Sequence, residues 1–208
     1  MIRTHFTRSL VAASLVALAG SAAAATDPGL KAGTYTIDAT HTYGNFEVDH
    51  MGLSTMHGRI DVKSGTIQID PDNAASNHVM VTLDPASVDT GDTKRDEHLR
   101  DMDGFFDVKK YPDMTFKSTS VSFDDDTDEA TVKGNLTLHG VTRPVTLDVE
   151  DMACHVNPLE KSNYTCGFSA ETMIKRSDFG MDAYLPMVGD EIELSIEVEA
   201  NKPVDSKS

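Results

Sequence analysis

The stretch EIELSIEVEA, residues 191–200, alternates without a break. Ile192, Leu194, Ile196 and Val198 carry one face, and Glu191, Glu193, Ser195, Glu197 and Glu199 carry the other. Successive side chains of a β-strand point to opposite faces, so this is the pattern of an antiparallel strand with one dry face and one wet face. The same period runs back through the chain. In TVKGNLTLHG (131–140), Val132, Leu136 and Leu138 oppose Lys133, Asn135 and Thr137; in RPVTLDVE (143–150), Val145, Leu147 and Val149 oppose Thr146, Asp148 and Glu150. MHGRIDVKSGTIQIDP (56–71) begins with Ile60 and Val62 in phase and resumes with Ile67 and Ile69 on the other parity, which predicts a bulge near Ser64-Gly65.

GTYTIDATHTYGNFEVDH (33–50), NHVMVTLDP (77–85), DMTFKSTSVSF (113–123) and YTCGFSAETMIKR (164–176) bring the expected strands to eight. Pro71-Asp72-Asn73, the acidic run Asp124-Asp125-Asp126 and His139-Gly140 read as turns between them. Eight successive antiparallel strands, each with one apolar face, bury that face and lose their open edges by curling into a closed up-and-down barrel. The fold expected is therefore all-β, with a two-sheet sandwich as the alternative.

One connection is long. Between the third and fourth strands lies KRDEHLRDMDGFFDVKKYP (94–112). Thr93 followed by Asp96 matches a capping box, Leu99, Met102 and Phe106 form an apolar stripe, and Asp96 and Arg100 stand at i and i+4. Gly104 supplies a stop. The segment reads as a short amphipathic helix covering one end of the barrel. On that reading Arg95, Asp96, Glu97, His98 and Arg100 are a solvated face with a few fixing ion pairs.

Residues 1–25, MIRTHFTRSLVAASLVALAGSAAAA, have two arginines, an apolar run from Leu10 to Ala19 and small residues at the end, the pattern of an export signal cleaved near Ala25-Thr26. Residues 26–208 then form a single domain. The apolar run is too short to span a membrane, and no later stretch comes close to the required length. Without Arg3 and Arg8 the chain has 16 cationic residues against 34 acidic, a charge of −18 rather than the −16 of the full sequence. Such a surface repels nucleic acid. Cys154 and Cys166 are the only cysteines, an even count in an exported chain, and a disulfide between them is expected. A thiol nucleophile or metal pair has no CxxC spacing to support it.

No GxSxG, HExxH, GxxxxGK[ST] or GxGxxG motif is present, and the histidines at 41, 50, 57, 78, 98, 139 and 155 form no HxH or HxxxH pair. No catalytic residue, metal site or cofactor is expected. The inward face of the barrel is more informative: Phe46, Val48, Ile60, Val62, Val81, Leu83, Phe116, Leu136, Leu138, Val145, Leu147, Phe168, Ile174, Leu194 and Ile196, interrupted by Gly134 and Ala170. An eight-stranded barrel either fills its interior with such side chains or holds one ligand among them.

The run VDTGDTKRDEHLRDMDGFFDVKKYPDMTFKSTSV, then GNLTLHGVTRPVTLDV, CGFSAETMIKRSDFGM and VGDEIELSIEVEA, resembles the YceI-like family of exported bacterial proteins, and YTIDATHTYGNFEVDHMGLSTMHGRI is similar to its opening strands. The cysteine pair around HVNPLEKSNYT resembles a branch of the family with this disulfide. Two positions depart from the pattern: Gly104 reads as an insertion between HLR and FFD, and Asp182 stands where glycine often follows SDFGM.

The resemblance implies a periplasmic, lipocalin-like barrel whose tunnel holds a polyisoprenoid lipid, a prenyl phosphate or an isoprenoid quinone. It implies carriage or sequestration and not catalysis, and it leaves a homodimer open. His98, Arg100, Arg143, Lys175 and Arg176 are then the candidates to meet the head group. The alternative is a packed barrel acting as a stress-related protein-interaction module, and behind it a metal-dependent enzyme.

Overall fold

A computed structural model describes residues 29–124 and 128–204; the export signal expected over 1–25 lies outside them. The elements in chain order are β1 (Gly33–Ile37), β2 (Tyr43–His50), β3 (Ser54–Ile69), β4 (His78–Asp89), α1 (Thr93–Asp101), β5 (Met114–Phe123), β6 (Ala130–Leu138), β7 (Val141–Val156), β8 (Asn163–Lys175) and β9 (Val188–Pro203), with single 3-10 turns at Ala74–Ser76 and Arg176–Phe179. From β2 to β9 each strand pairs antiparallel with the next, and β9 pairs back onto β2, so the sheet closes. This is an eight-stranded antiparallel up-and-down barrel.

The first position around the barrel is occupied twice. β1 lies between β3 (Gly33↔Ile69) and β9 (Ile37↔Ala200), and β2 continues the same position further along (Tyr43↔Asp61, Tyr43↔Glu197). The stretch expected as one strand over 33–50 is thus broken at residues 38–42. Asp38 causes the break locally: its carboxylate accepts from the Thr40 amide at 2.9 Å and the Thr40 hydroxyl at 2.6 Å, a side-chain substitute for a ladder partner. The buried Thr42 re-enters the sheet by bonding both the amide (3.0 Å) and the carbonyl (3.2 Å) of Glu199.

The β3 parity switch is real. Register against β4 shifts between Val62 and Ser64, and Ile60, Val62, Ile67 and Ile69 all end up buried inside. Gly65 is required there, since a Cβ would stand 2.5 Å from Ile37 Cδ1 and 2.8 Å from the Met80 carbonyl.

α1 sits between β4 and β5, in the long connection where the sequence places it. Its cap is one residue earlier than expected: the Asp92 side chain accepts from the Arg95 amide, and Thr93 is already helical. Asp96 is therefore not a capping-box partner. It is buried and accepts from the amide (2.9 Å) and the hydroxyl (2.5 Å) of Thr90. The pair with Arg100 does not form, because Asp96 faces inward while Arg100 reaches the Val88 carbonyl at 3.5 Å. Helical geometry ends at Met102, before Gly104.

Two packed clusters hold the barrel. One, at the end away from α1, contains Tyr35, Ile37, Val62, Ile67, Ile69, Tyr164, Cys166 and Ala200. Cys154 and Cys166 face each other across β7 and β8 and are joined as expected, closing a loop worth roughly 3 kcal/mol in the chain-entropy account. The other cluster lines the wall from Ala130 to Leu138 and reaches Phe106, Phe179 and Met181 under α1.

Candidate functional site

A cavity of about 380 Å³ runs through the barrel. Its wall extends from Ile69, Phe123 and Val149 at the far end to His50, Val188, His98 and Tyr184 beneath α1. On β9 alone, Val188 to Val198 face it; with about 3.3 Å per residue and a strand tilt near 40°, the lumen is roughly 25 Å long. All fifteen inward residues named from the sequence lie on this wall. Val48, Val145, Leu147, Ile174, Leu194 and Ile196 remain only half-buried although they point inward.

The phenylalanines explain part of the width. A Cβ on Gly58 would stand 2.2 Å from the Phe46 ring, and one on Gly134 would stand 2.4 Å from the Phe116 ring. The tip of each ring rests over a glycine on the neighbouring strand, in space that a larger residue there would fill. Gly134, an interruption in the sequence pattern, is a seat for Phe116.

The helix end is the polar one. Arg95 donates from Nε to the Thr90 hydroxyl (2.7 Å) and from one terminal nitrogen to the Thr90 carbonyl (2.6 Å), and it lines the cavity. Thr90 in turn donates to Asp96, so the buried carboxylate orients the hydroxyl that orients the guanidinium. The other terminal nitrogen of Arg95 has no protein partner among the described residues. His98 stacks on Tyr184 (centroids 5.8 Å, planes 22° apart) and meets Phe105 edge-on at 5.9 Å, with Phe105 and Tyr184 6.0 Å apart. These three rings and Arg95 frame the mouth.

Among the expected head-group residues, the structure brings His98 and Arg176 to the cavity and leaves three away from it. Arg100 turns back to Val88; Arg143 is exposed at the start of β7 and bonds the Thr142 carbonyl; Lys175 is exposed on the outer face at the end of β8. Strand alternation puts Lys175 outside, opposite Ile174, whereas Arg143 shares the parity of Val145 and is kept from the cavity by its place at the exposed start of β7.

Arg176 is buried and committed to the backbone: it donates to the carbonyls of Gly189 (2.7 Å), Met181 (2.7 Å) and Val188 (2.8 Å). Burial lowers its pKa from the ordinary guanidinium value, against the opposing charges of Asp190 and Asp182. Burial works to raise Asp190, but two hydrogen bonds from Ser177 and the Arg176 charge outweigh it and hold that carboxyl below its usual value. Arg176 therefore shapes the β8–β9 loop that carries Tyr184.

Arg95, Phe105 and Tyr184 are the mouth residues that sequence reasoning missed. Arg95, His98 and Leu99 stand at i, i+3 and i+4, so helical phase could have placed Arg95 on the inward face. Tyr184 lies in a loop with no periodicity to read.

The family model described as the YceI-like domain matches residues 35–200. Protein YceI of Escherichia coli O6:H1 is 41% identical over 192 residues, covering 91% of this chain and 94% of that one. The crystal structure of the Campylobacter jejuni YCEI protein superposes with a TM-score of 0.62 at 35% identity, covering 74% of this chain and 89% of that one. A domain of Saccharophagus degradans described as a polyisoprenoid binding domain implicated in plant cell wall breakdown shares the fold, with a TM-score of 0.58 at 20% identity over 81% of this chain and 98% of that one.

Proposed function

The chain belongs to the YceI-like family, and from there we propose that it is an exported, periplasmic binding protein that carries a polyisoprenoid lipid, tail in the lumen and head at the α1 end. The observation that carries this reading is the lumen itself: an apolar cavity about as long as the barrel, open toward one polar group set. An acyclic prenyl tail gains roughly 25 cal/mol for each square ångström of surface it removes from water, so a wall of Val, Ile, Leu and Phe binds it without directional contacts.

The family's fold neighbour in Saccharophagus degradans, which is described as binding polyisoprenoid, accords with a ligand of this class. At the mouth, Arg95 offers donors to the oxygens of a phosphate or a quinone, and Tyr184 and His98 offer flat faces to a quinone ring. The protein acts by binding and releasing its lipid, without a chemical step. A packed barrel working only through its acidic surface is the weaker reading, because a cavity of about 380 Å³ remains inside the apolar wall.

The test is organic extraction and mass spectrometry of protein purified without detergent, with added prenyl phosphate and ubiquinone as titrants. One prenyl lipid per chain is expected. Protein that is repeatedly empty and takes up neither titrant would overturn the proposal.

A further inference from the structure

Three donors meet where the segment after α1 touches the barrel rim. Asp103 and Asp107 stand four residues apart on that segment, and His139 stands on the β6–β7 turn; one oxygen of each carboxylate and one ring nitrogen of His139 lie within 4.8 Å of one another. His139 is 9% exposed, and its Nδ1 stands 3.2 Å from the Phe179 carbonyl. A carbonyl only accepts, so Nδ1 carries the proton and Nε2 is left with a bare lone pair. That Nε2 is buried and has no hydrogen-bond partner among the described residues.

Neither neighbouring lysine fills the gap. Lys109 pairs with Asp101 at 3.3 Å, and the Lys110 ammonium lies over the Tyr111 ring at 5.0 Å.

We propose that Asp103, Asp107 and His139 form a binding site for a divalent transition-metal ion of the zinc class, held through His139 Nε2 and one oxygen from each carboxylate, with water completing the shell. Imidazole favours zinc over magnesium or calcium, and two carboxylates neutralise its charge. The Phe179 carbonyl fixes the tautomer and ring orientation, as outer partners of metal-bound histidines generally do. Ligands on bonds of about 2.1 Å at tetrahedral angles stand about 3.4 Å apart, so a rotation of the exposed Asp103 side chain brings the set together. The bound ion would fasten the segment over 103–107 to the β6–β7 turn and, through Phe179, to the β8–β9 loop. The site does not depend on the lipid-binding reading.

The test is calorimetric titration of the full exported chain with zinc after dialysis against a chelator, beside hydrogen exchange of residues 102–111. One zinc per chain is expected, with slowed exchange in that segment. Asp103→Asn with Asp107→Asn, on the surface and tolerable to the fold, should weaken binding at least thirtyfold, as should His139→Gln; His41→Asn with His57→Asn should change nothing. Absence of stoichiometric binding would overturn the proposal, and so would affinity that survives Asp103→Asn with Asp107→Asn or disappears with His41→Asn and His57→Asn.

Discussion

The two ends of the barrel are built from the same strands and do opposite things with them. At the disulfide end Tyr35, Ile69, Cys166 and Ala200 are at most 1% exposed, and the lumen stops against them. At the α1 end the inward residues of β2, β8 and β9 stay half-buried around open space, and exposed apolar side chains gather on the rim: Met51 and Leu53 on the β2–β3 turn, Tyr184 and Met187 on the β8–β9 loop, joined by the bond from the Met51 amide to the Met187 carbonyl at 2.7 Å. Stability is concentrated where the barrel is closed, and the proposed binding where it is open. Regions with few buried contacts are those that open most easily, which suits an end proposed to admit a long tail.

Substitutions at the two ends should separate these properties. Tyr35→Ala removes a fully buried ring and should cost about 4 kcal/mol in urea unfolding, while lipid affinity of the folded fraction is unchanged. Replacing both Cys154 and Cys166 by alanine should cost roughly 3 kcal/mol by the same measurement, again without touching affinity. If either variant loses its ligand while still folded, the division between ends fails.

On the open side, Leu147→Arg should leave the fold intact and weaken binding of a fluorescent prenyl lipid at least tenfold, since the charge must then share the lumen with the tail. Arg95→Ala should weaken a prenyl phosphate by about tenfold, within the range for a charge-assisted hydrogen bond, whereas Arg143→Ala and Lys175→Ala should have no effect.

The smallest effect lies at the β1–β2 break. The Thr40 hydroxyl, working against burial and helped by His41 and the Thr40 amide, holds the Asp38 carboxyl at about 2, down from 3.8. A depressed carboxyl stabilises above 3.8 and loses that contribution as pH falls through about 2. The deficit of Asp38→Asn, on the order of 1 kcal/mol at pH 6 after solvent screening, should therefore shrink on acidification.

The barrel was legible because one face of each strand is dry, and a period of two leaves little room for another reading. The parity change from Val62 to Ile67 even located a bulge. The break at 38–42 escaped because Ile37 and Tyr43 both lie in convincing strand pattern, although Asp38 with Thr40 two residues on is the local signal of a turn. The cap slipped by one residue because Asp92 and Thr93 both suit it.

Mouth residues were the least legible. Alternation assigns a side chain to a face but not to an end, and Tyr184 reaches His98 only through the tertiary course of the β8–β9 loop. Hollowness depends on how rings lie, and the pairing of Gly58 with Phe46 becomes visible only once β2 and β3 are in register.

The central claim is that the tail occupies the lumen with the head under α1. Photocrosslinking with two prenyl phosphate probes, one reactive at the head and one at the tail terminus, tests it directly. The account predicts head crosslinks on residues 95–98 and Tyr184, and tail crosslinks deep in the barrel near Phe123 and Val149. Head crosslinks at the disulfide end, or both probes marking only the outer surface, would contradict it.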